Sequence, residues 1–159
     1  MTASIVHVGD VRGLITVPPD VHVVGWYAGS ARTDSTTGST VIVGHVNYAG
    51  QGPGAFSSLT KVKSGERVGV NISGQGTTYW KIVSLKLYPK LHLTANLFTL
   101  NGPRYLTLIT CGGTLQHTST GYHYNDNIVV RAVPWLPVKT PPTTTTTGPT
   151  VTIPTVALP

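Results

Sequence analysis

Cys111 is the single cysteine of the chain and its strongest candidate nucleophile. A thiol attacks well at neutral pH only when a neighbouring base or positive charge raises its thiolate fraction. Its setting is informative. The run Arg104–Cys111 (RYLTLITC) reads as a strand on which Tyr105, Thr107, Ile109 and Cys111 share one face, and Gly112-Gly113 follows at once. Cys111 is therefore expected to be the last residue of its strand, its backbone held and its side chain open. The glycines would let a substrate backbone approach. A free cysteine is more often a small buried hydrophobe, and the strand-end position beside two glycines favours the reactive alternative. One cysteine also excludes an internal disulfide.

Six histidines could serve as the base. His45 stands out because it ends Ser39–His45 (STVIVGH), a continuous apolar run that reads as a strand covered on both faces, and precedes a glycine-rich loop, Gly50–Gly54. His7 and His22 fall at exposed sheet positions, and His92, His117 and His123 in loops. The five acidic residues are dispersed, and no His/Cys pair has ligand spacing on one element, so neither a metal nor another cofactor is expected.

The elements that must position this pair are short strands. Candidates are Ser4–Val8 and Leu14–Val17, joined by a hairpin-type connection, then Val21–Tyr27, Ser39–His45, Glu66–Ile72, Thr77–Leu87, Arg104–Cys111 and Asn127–Val133. Ser73–Gly76 signals a hairpin turn. The apolar spacing of Phe56, Leu59 and Val62 fits one helical turn, and Thr94–Phe98 another. The expected fold class is all-β: a closed or nearly closed barrel of about seven to eight strands formed by residues 1–136. From Pro137 the composition changes to Thr and Pro (PPTTTTTGPT), which cannot build a core, so residues 137–159 read as an extended, disordered tail or linker.

Composition narrows the function classes. The 159 residues carry 18 Gly, 12 Pro, only 10% charged residues and a net charge of +6. The basic residues are scattered, without the clustered or aromatic-interleaved pattern of a nucleic-acid groove, so no nucleic-acid partner is expected. No apolar run approaches the ~20 residues a membrane helix needs. No charged segment followed by an apolar one opens the chain, so neither an export signal nor an anchor is expected within it.

Several segments resemble the sortase family of cysteine transpeptidases. Leu106-Thr107-Leu108-Ile109-Thr110-Cys111 resembles its TLxTC signature. Val41–His45 with Val46-Asn47-Tyr48 and Gly52-Pro53-Gly54-Ala55-Phe56-Ser57-Ser58-Leu59 is similar to the histidine segment of the actinobacterial class F group. Val17-Pro18-Pro19-Asp20, Ser64-Gly65-Glu66-Arg67-Val68, Tyr88-Pro89-Lys90 and Asp126-Asn127-Ile128-Val129-Val130 extend the likeness over about residues 4–135. The resemblance implies an eight-stranded barrel with Cys111 and His45 at one end. It implies cleavage of an LPxTG-like sorting motif through a thioester on Cys111, resolved by an amine from a cell-wall precursor or a pilin. Extracytoplasmic placement at the surface of a Gram-positive-type bacterium follows from the same resemblance, and Thr110, Asn125 and Gly112 become candidate substrate contacts.

Two departures stand out. The family's arginine is expected in a tyrosine–arginine–aspartate–asparagine run, and here that run is Tyr124-Asn125-Asp126-Asn127. Arg131 has the parity of Asn125 and is the catalytic candidate in its place, six residues along; Arg32 and Arg104 are further possible donors. The strand of the type IPxLGV that opens the family's domain is also expected to be missing. Both departures leave open a catalytically impaired peptide-binding module. An L,D-transpeptidase would show a Ser-His-Gly-Cys run that Thr110-Cys111-Gly112 does not match. The low acidic content argues against a calcium-regulated member.

Overall fold

The computed structural model describes residues 2–72, 76–119 and 121–135. The expected Ser73–Gly76 turn falls largely outside these residues, and the 137–159 tail wholly so. The elements in chain order are β1 (Ser4–Val8), β2 (Asp10–Val11), β3 (Leu14–Ile15), β4 (Val23–Tyr27), β5 (Ser39–Val43), β6 (Asn47–Tyr48), β7 (Gly52–Pro53), β8 (Arg67–Ile72), β9 (Gly76–Pro89), β10 (Tyr105–Thr118) and β11 (Gly121–Pro134). Two 3₁₀ turns, Leu59–Lys61 and Ala95–Leu97, occupy the segments whose spacing suggested helical turns.

Seven strands form one sheet in the order β1-β4-β5-β10-β11-β9-β8, curled into a half-barrel. The β1–β4 and β5–β10 pairs are parallel and the remainder antiparallel. The all-β expectation holds, with β1 and β8 as the sheet's two edges.

Alternation along the strands divides the core in two. Ile42, Leu106, Leu108, Ile128 and Val130 join Trp80, Ile82 and Phe56 on one face. Val41, Val43, Ile109 and Val129 pack on the other against Leu97, with Tyr27, Leu93 and Phe98 alongside. All five residues of β5 are buried, as a strand covered on both faces requires. Cys111 has the parity of Ile109 and so belongs to the second face, the one overlaid by the β9–β10 connection.

Several local expectations change, among them the loop placement of His117 and His123, which lie in β10 and β11. Ser4–Val8 does not form a hairpin with the strand after it; it pairs in parallel with β4, while β2 and β3 make a small hairpin of their own. Its two-residue turn, Arg12-Gly13, has φ of 54° and 78°, the left-handed pair that a type I′ turn demands. β5 stops at Val43, two residues before His45. Most consequentially, Cys111 is not the last residue of its strand. β10 continues to Thr118 across a β-bulge between Gly112 and Leu115. Gly113 adopts φ +78° there, and the freed Thr114 N–H donates to Asn125 Oδ1 at 2.7 Å. With its orphan donor satisfied, the ladder resumes instead of ending.

Candidate active site

The sheet's second face, the β2–β3 hairpin and the segment after β9 enclose a cavity of about 490 Å³. Cys111, Thr110 and Asn127 line it from the β10–β11 ladder and His45 from the end of β5. Leu14, Leu91 and Phe98 contribute an apolar wall from the covering segments. Another cavity, about 310 Å³, lies toward the edge strands β1 and β8 and has neither cysteine nor histidine in its lining.

Cys111 is partly exposed, directly opposite Asn127 across the antiparallel pair. Lys90 Nζ donates to its Sγ at 3.2 Å. Lys90 lies immediately after β9, whose last residue, Pro89, is in register with Asp126.

His45 is placed by backbone bonds. The Gly44 N–H donates to the Ile109 carbonyl at 3.1 Å, extending the β5–β10 ladder by one residue. The Phe56 N–H donates to the His45 carbonyl at 2.9 Å. Gly54 packs so closely on that carbonyl that a Cβ there would overlap it, a physical reason for glycine in the loop. His45 Nε2 lies 2.9 Å from the buried Pro18 carbonyl. A carbonyl can only accept, so this contact holds the proton on Nε2, and in the neutral ring Nδ1 is the nitrogen able to take another. Tyr48 meets the imidazole edge-on, with ring centroids 5.2 Å apart.

The threonines before Cys111 act as staples between β10 and β5. Thr107 and Ser39 share a buried hydroxyl–hydroxyl bond of 2.7 Å, and Thr110 Oγ1 donates to the Gly44 carbonyl at 2.8 Å. Gly112 is buried against Ile128, where a side chain would collide. Asn125 spends its side-chain oxygen on the bulge, whereas Asn127 is 8% exposed and donates to the Lys90 carbonyl at 3.0 Å.

Cys111, His45 and Thr110 thus meet at one cavity, and Arg131 does not join them. Arg131 is in register with Thr107, four residues before Cys111 and about 13 Å away along the strand at ~3.3 Å per residue. Its guanidinium stacks 3.7 Å over the Tyr105 ring. Arg32 pairs with Asp34 at 2.9 Å. Arg104 donates to the Gly38, Arg32 and Thr33 carbonyls, and burial lowers its pKa from the ordinary arginine value.

Residues 1–135 match the family model for the Sortase domain. The chain belongs to the sortase family. Solved structures agree on the fold. Sortase C1 of GBS pilus island 1 superposes with a TM-score of 0.60 at 20% identity, covering 76% of this chain and 55% of its own. Sortase C2 of the same pilus island in Group B Streptococcus gives 0.58 at 21%, covering 72% and 60%. Sortase A from Corynebacterium diphtheriae gives 0.58 at 22%, covering 76% and 52%. The chain thus spans somewhat more than half the length of these structures. No curated protein matches its sequence.

Two site contacts in this sortase domain had no counterpart in the sequence reading. The Pro18 carbonyl is a backbone group and carries no residue signature. Lys90 is 21 residues from Cys111, and only the β9–β11 and β10–β11 registers together bring it to the thiol.

Proposed function

We propose that the chain is a cysteine transpeptidase that cleaves a sorting motif of the LPxTG kind and passes the acyl group to a surface amine, with Cys111 as nucleophile and His45 as acid/base. One observation carries this reading: the sole thiol and a histidine whose Nε2 is committed to Pro18 line the same cavity.

The chemistry follows from the atoms. With its proton passed to His45, the Cys111 sulfur bonds to the peptide carbonyl carbon, and the C=O electron pair moves onto oxygen. When the carbonyl re-forms, the C–N bond breaks and the leaving amine takes a proton from His45. An incoming amine then reverses these steps, gives its proton to His45 and releases Cys111. The apolar wall of Leu14, Leu91 and Phe98 suits the motif's leucine, and Leu91 is 77% exposed until something covers it. The histidine segment and the Gly52–Leu59 loop favour the actinobacterial class F type within the family. Such a protein would act at the surface of a Gram-positive-type cell, on secreted proteins and on a cell-wall or pilin amine.

The test is incubation of the chain with a panel of sorting peptides, followed by intact-mass measurement. A mass increase on Cys111 that hydroxylamine removes, and that is absent in Cys111→Ala, is the expected result. Peptide binding without any adduct would favour the peptide-binding module, the reading that Asn125 in the expected arginine place supports.

A further inference from the structure

The cavity wall raises the question of where a positive charge comes from. Acyl transfer from a thiolate places negative charge first on sulfur and then on the carbonyl oxygen, and a dry site without a cation or donor handles it poorly. The arginines at Arg32, Arg104 and Arg131 are engaged elsewhere, with Asp34, backbone carbonyls and Tyr105 respectively. Arg67 stacks 4.5 Å from the Trp135 ring centroid. Among the described residues, Lys90 is the one Lys or Arg lining the cavity, and no carboxylate pairs with its ammonium.

We propose that Lys90 is a catalytic residue, the cation that favours the Cys111 thiolate and balances the oxyanion formed on attack. This rests on the acyl-transfer reading for the second role only. The ammonium already touches the reacting atom, with Nζ 3.2 Å from Sγ. The position is built from both sides of the Lys90 backbone. Its N–H donates to the Asn125 carbonyl and its carbonyl accepts from Asn127 Nδ2, each at 3.0 Å. Asn127 in turn stands opposite Cys111. β11 therefore fixes the root of the lysine stem, and the exposed side chain spans β11 to reach the thiol on β10.

The contact also gives the two asparagines a physical task. Neither supplies charge; Asn127 holds the residue that does, and the Asn125 backbone assists. Lys90 keeps its proton throughout the reaction. The proton that moves is the one exchanged between His45 and the leaving or incoming amine, so the lysine acts by charge and donation alone. Arginine at this position would retain the charge on a longer, planar group.

Because Cys111 is the only thiol of the chain, its alkylation reports on this site directly. Rates are measured at low salt with iodoacetate, an anion, and iodoacetamide, its neutral analogue, on the full chain and on Lys90→Gln, Lys90→Arg and the remote control Lys61→Gln. The iodoacetate-to-iodoacetamide ratio is expected to fall several-fold in Lys90→Gln. It should hold in Lys90→Arg and in Lys61→Gln, which has the same net-charge change as the glutamine variant. In peptide cleavage, Lys90→Gln should lose about 10²–10³-fold in kcat, the usual cost of an oxyanion donor, with partial recovery in Lys90→Arg. An unchanged ratio in Lys90→Gln overturns the proposal, as does a fall of equal size in Lys61→Gln. If the ratio falls as expected but the parent cleaves no peptide, the Lys90 assignment to the thiol stands and the transpeptidase reading fails.

Discussion

The Thr110 hydroxyl donates to the Gly44 carbonyl at 2.8 Å, one residue before Cys111 on β10 and one before His45 beyond β5. The bond is buried and bridges two positions 66 apart in the chain. Together with the Gly44 N–H to the Ile109 carbonyl, it ties both backbone groups of Gly44 to β10. The spacing between Cys111 and His45 is thus held by the residue before each, which leaves both side chains to face the cavity.

That tie can be cut without changing side-chain volume. Thr110→Val strands a buried carbonyl, at a cost of about 1–3 kcal/mol, whereas Thr110→Ser keeps the hydroxyl. Urea denaturation should show the loss in the valine variant alone. Peptide turnover should fall further than the alkylation rate of Cys111, because turnover needs His45 in place and alkylation does not.

His45→Ala should remove transfer while leaving the fold intact, since its side chain is only partly buried and its backbone bonds remain. His92→Ala and His117→Ala serve as comparisons. His92 is exposed on the β9–β10 connection, and His117 meets Tyr122 edge-on in the outer part of the β10–β11 hairpin, with centroids 4.8 Å apart. Equal losses of turnover in all three variants would reject His45 as the base.

The bulge after Cys111 depends on one backbone conformation and one side-chain oxygen. Gly113 sits at φ +78° with the Asn125 and Asp126 side chains where a Cβ would stand. Gly113→Ala should cost at least the ~1–2 kcal/mol of a left-handed non-glycine residue. Asn125→Ala, which leaves the Thr114 N–H without its partner, should cost less because that position is exposed. Chemical denaturation of both variants, with hydrogen exchange localised to β10 and β11, checks the order.

Tyr27 ties β4 to the hairpin that roofs the cavity, its hydroxyl donating to Asp10 Oδ1 at 3.1 Å. Burial first, and then Asp10, raise its pKa above the ordinary phenol value. A raised folded value means that the tether's contribution is complete below the unfolded tyrosine value of about 10 and disappears as pH climbs through the folded one. The stability difference between the parent and Tyr27→Phe should therefore be constant from pH 7 to 9 and shrink toward zero at higher pH. A difference that grows with pH would contradict this assignment.

The sequence alone determined which atoms can do the chemistry and what kind of scaffold holds them. A lone thiol leaves no choice of cysteine. The unbroken apolar run Val41–Val43 required a strand buried on both faces, and β5 is one. Alternation along Tyr105–Cys111 placed Thr107, Ile109 and Cys111 on a common face. These are local properties, encoded in residue type and a period of two. Tertiary structure decided the rest, because register and backbone contacts depend on partners far away in the chain. The run of glycines after Cys111 reads equally well as a strand end or a bulge, and it is the Asn125 oxygen on the facing strand that makes it a bulge. Arg131 shares the parity of Asn127, yet the ladder sets it opposite Thr107 and sends its guanidinium to Tyr105. The β9–β11 and β10–β11 ladders together carry Lys90, which no spacing singles out, to within 3.2 Å of the thiol. Parity chooses a face; only the hydrogen-bonded register chooses a neighbour.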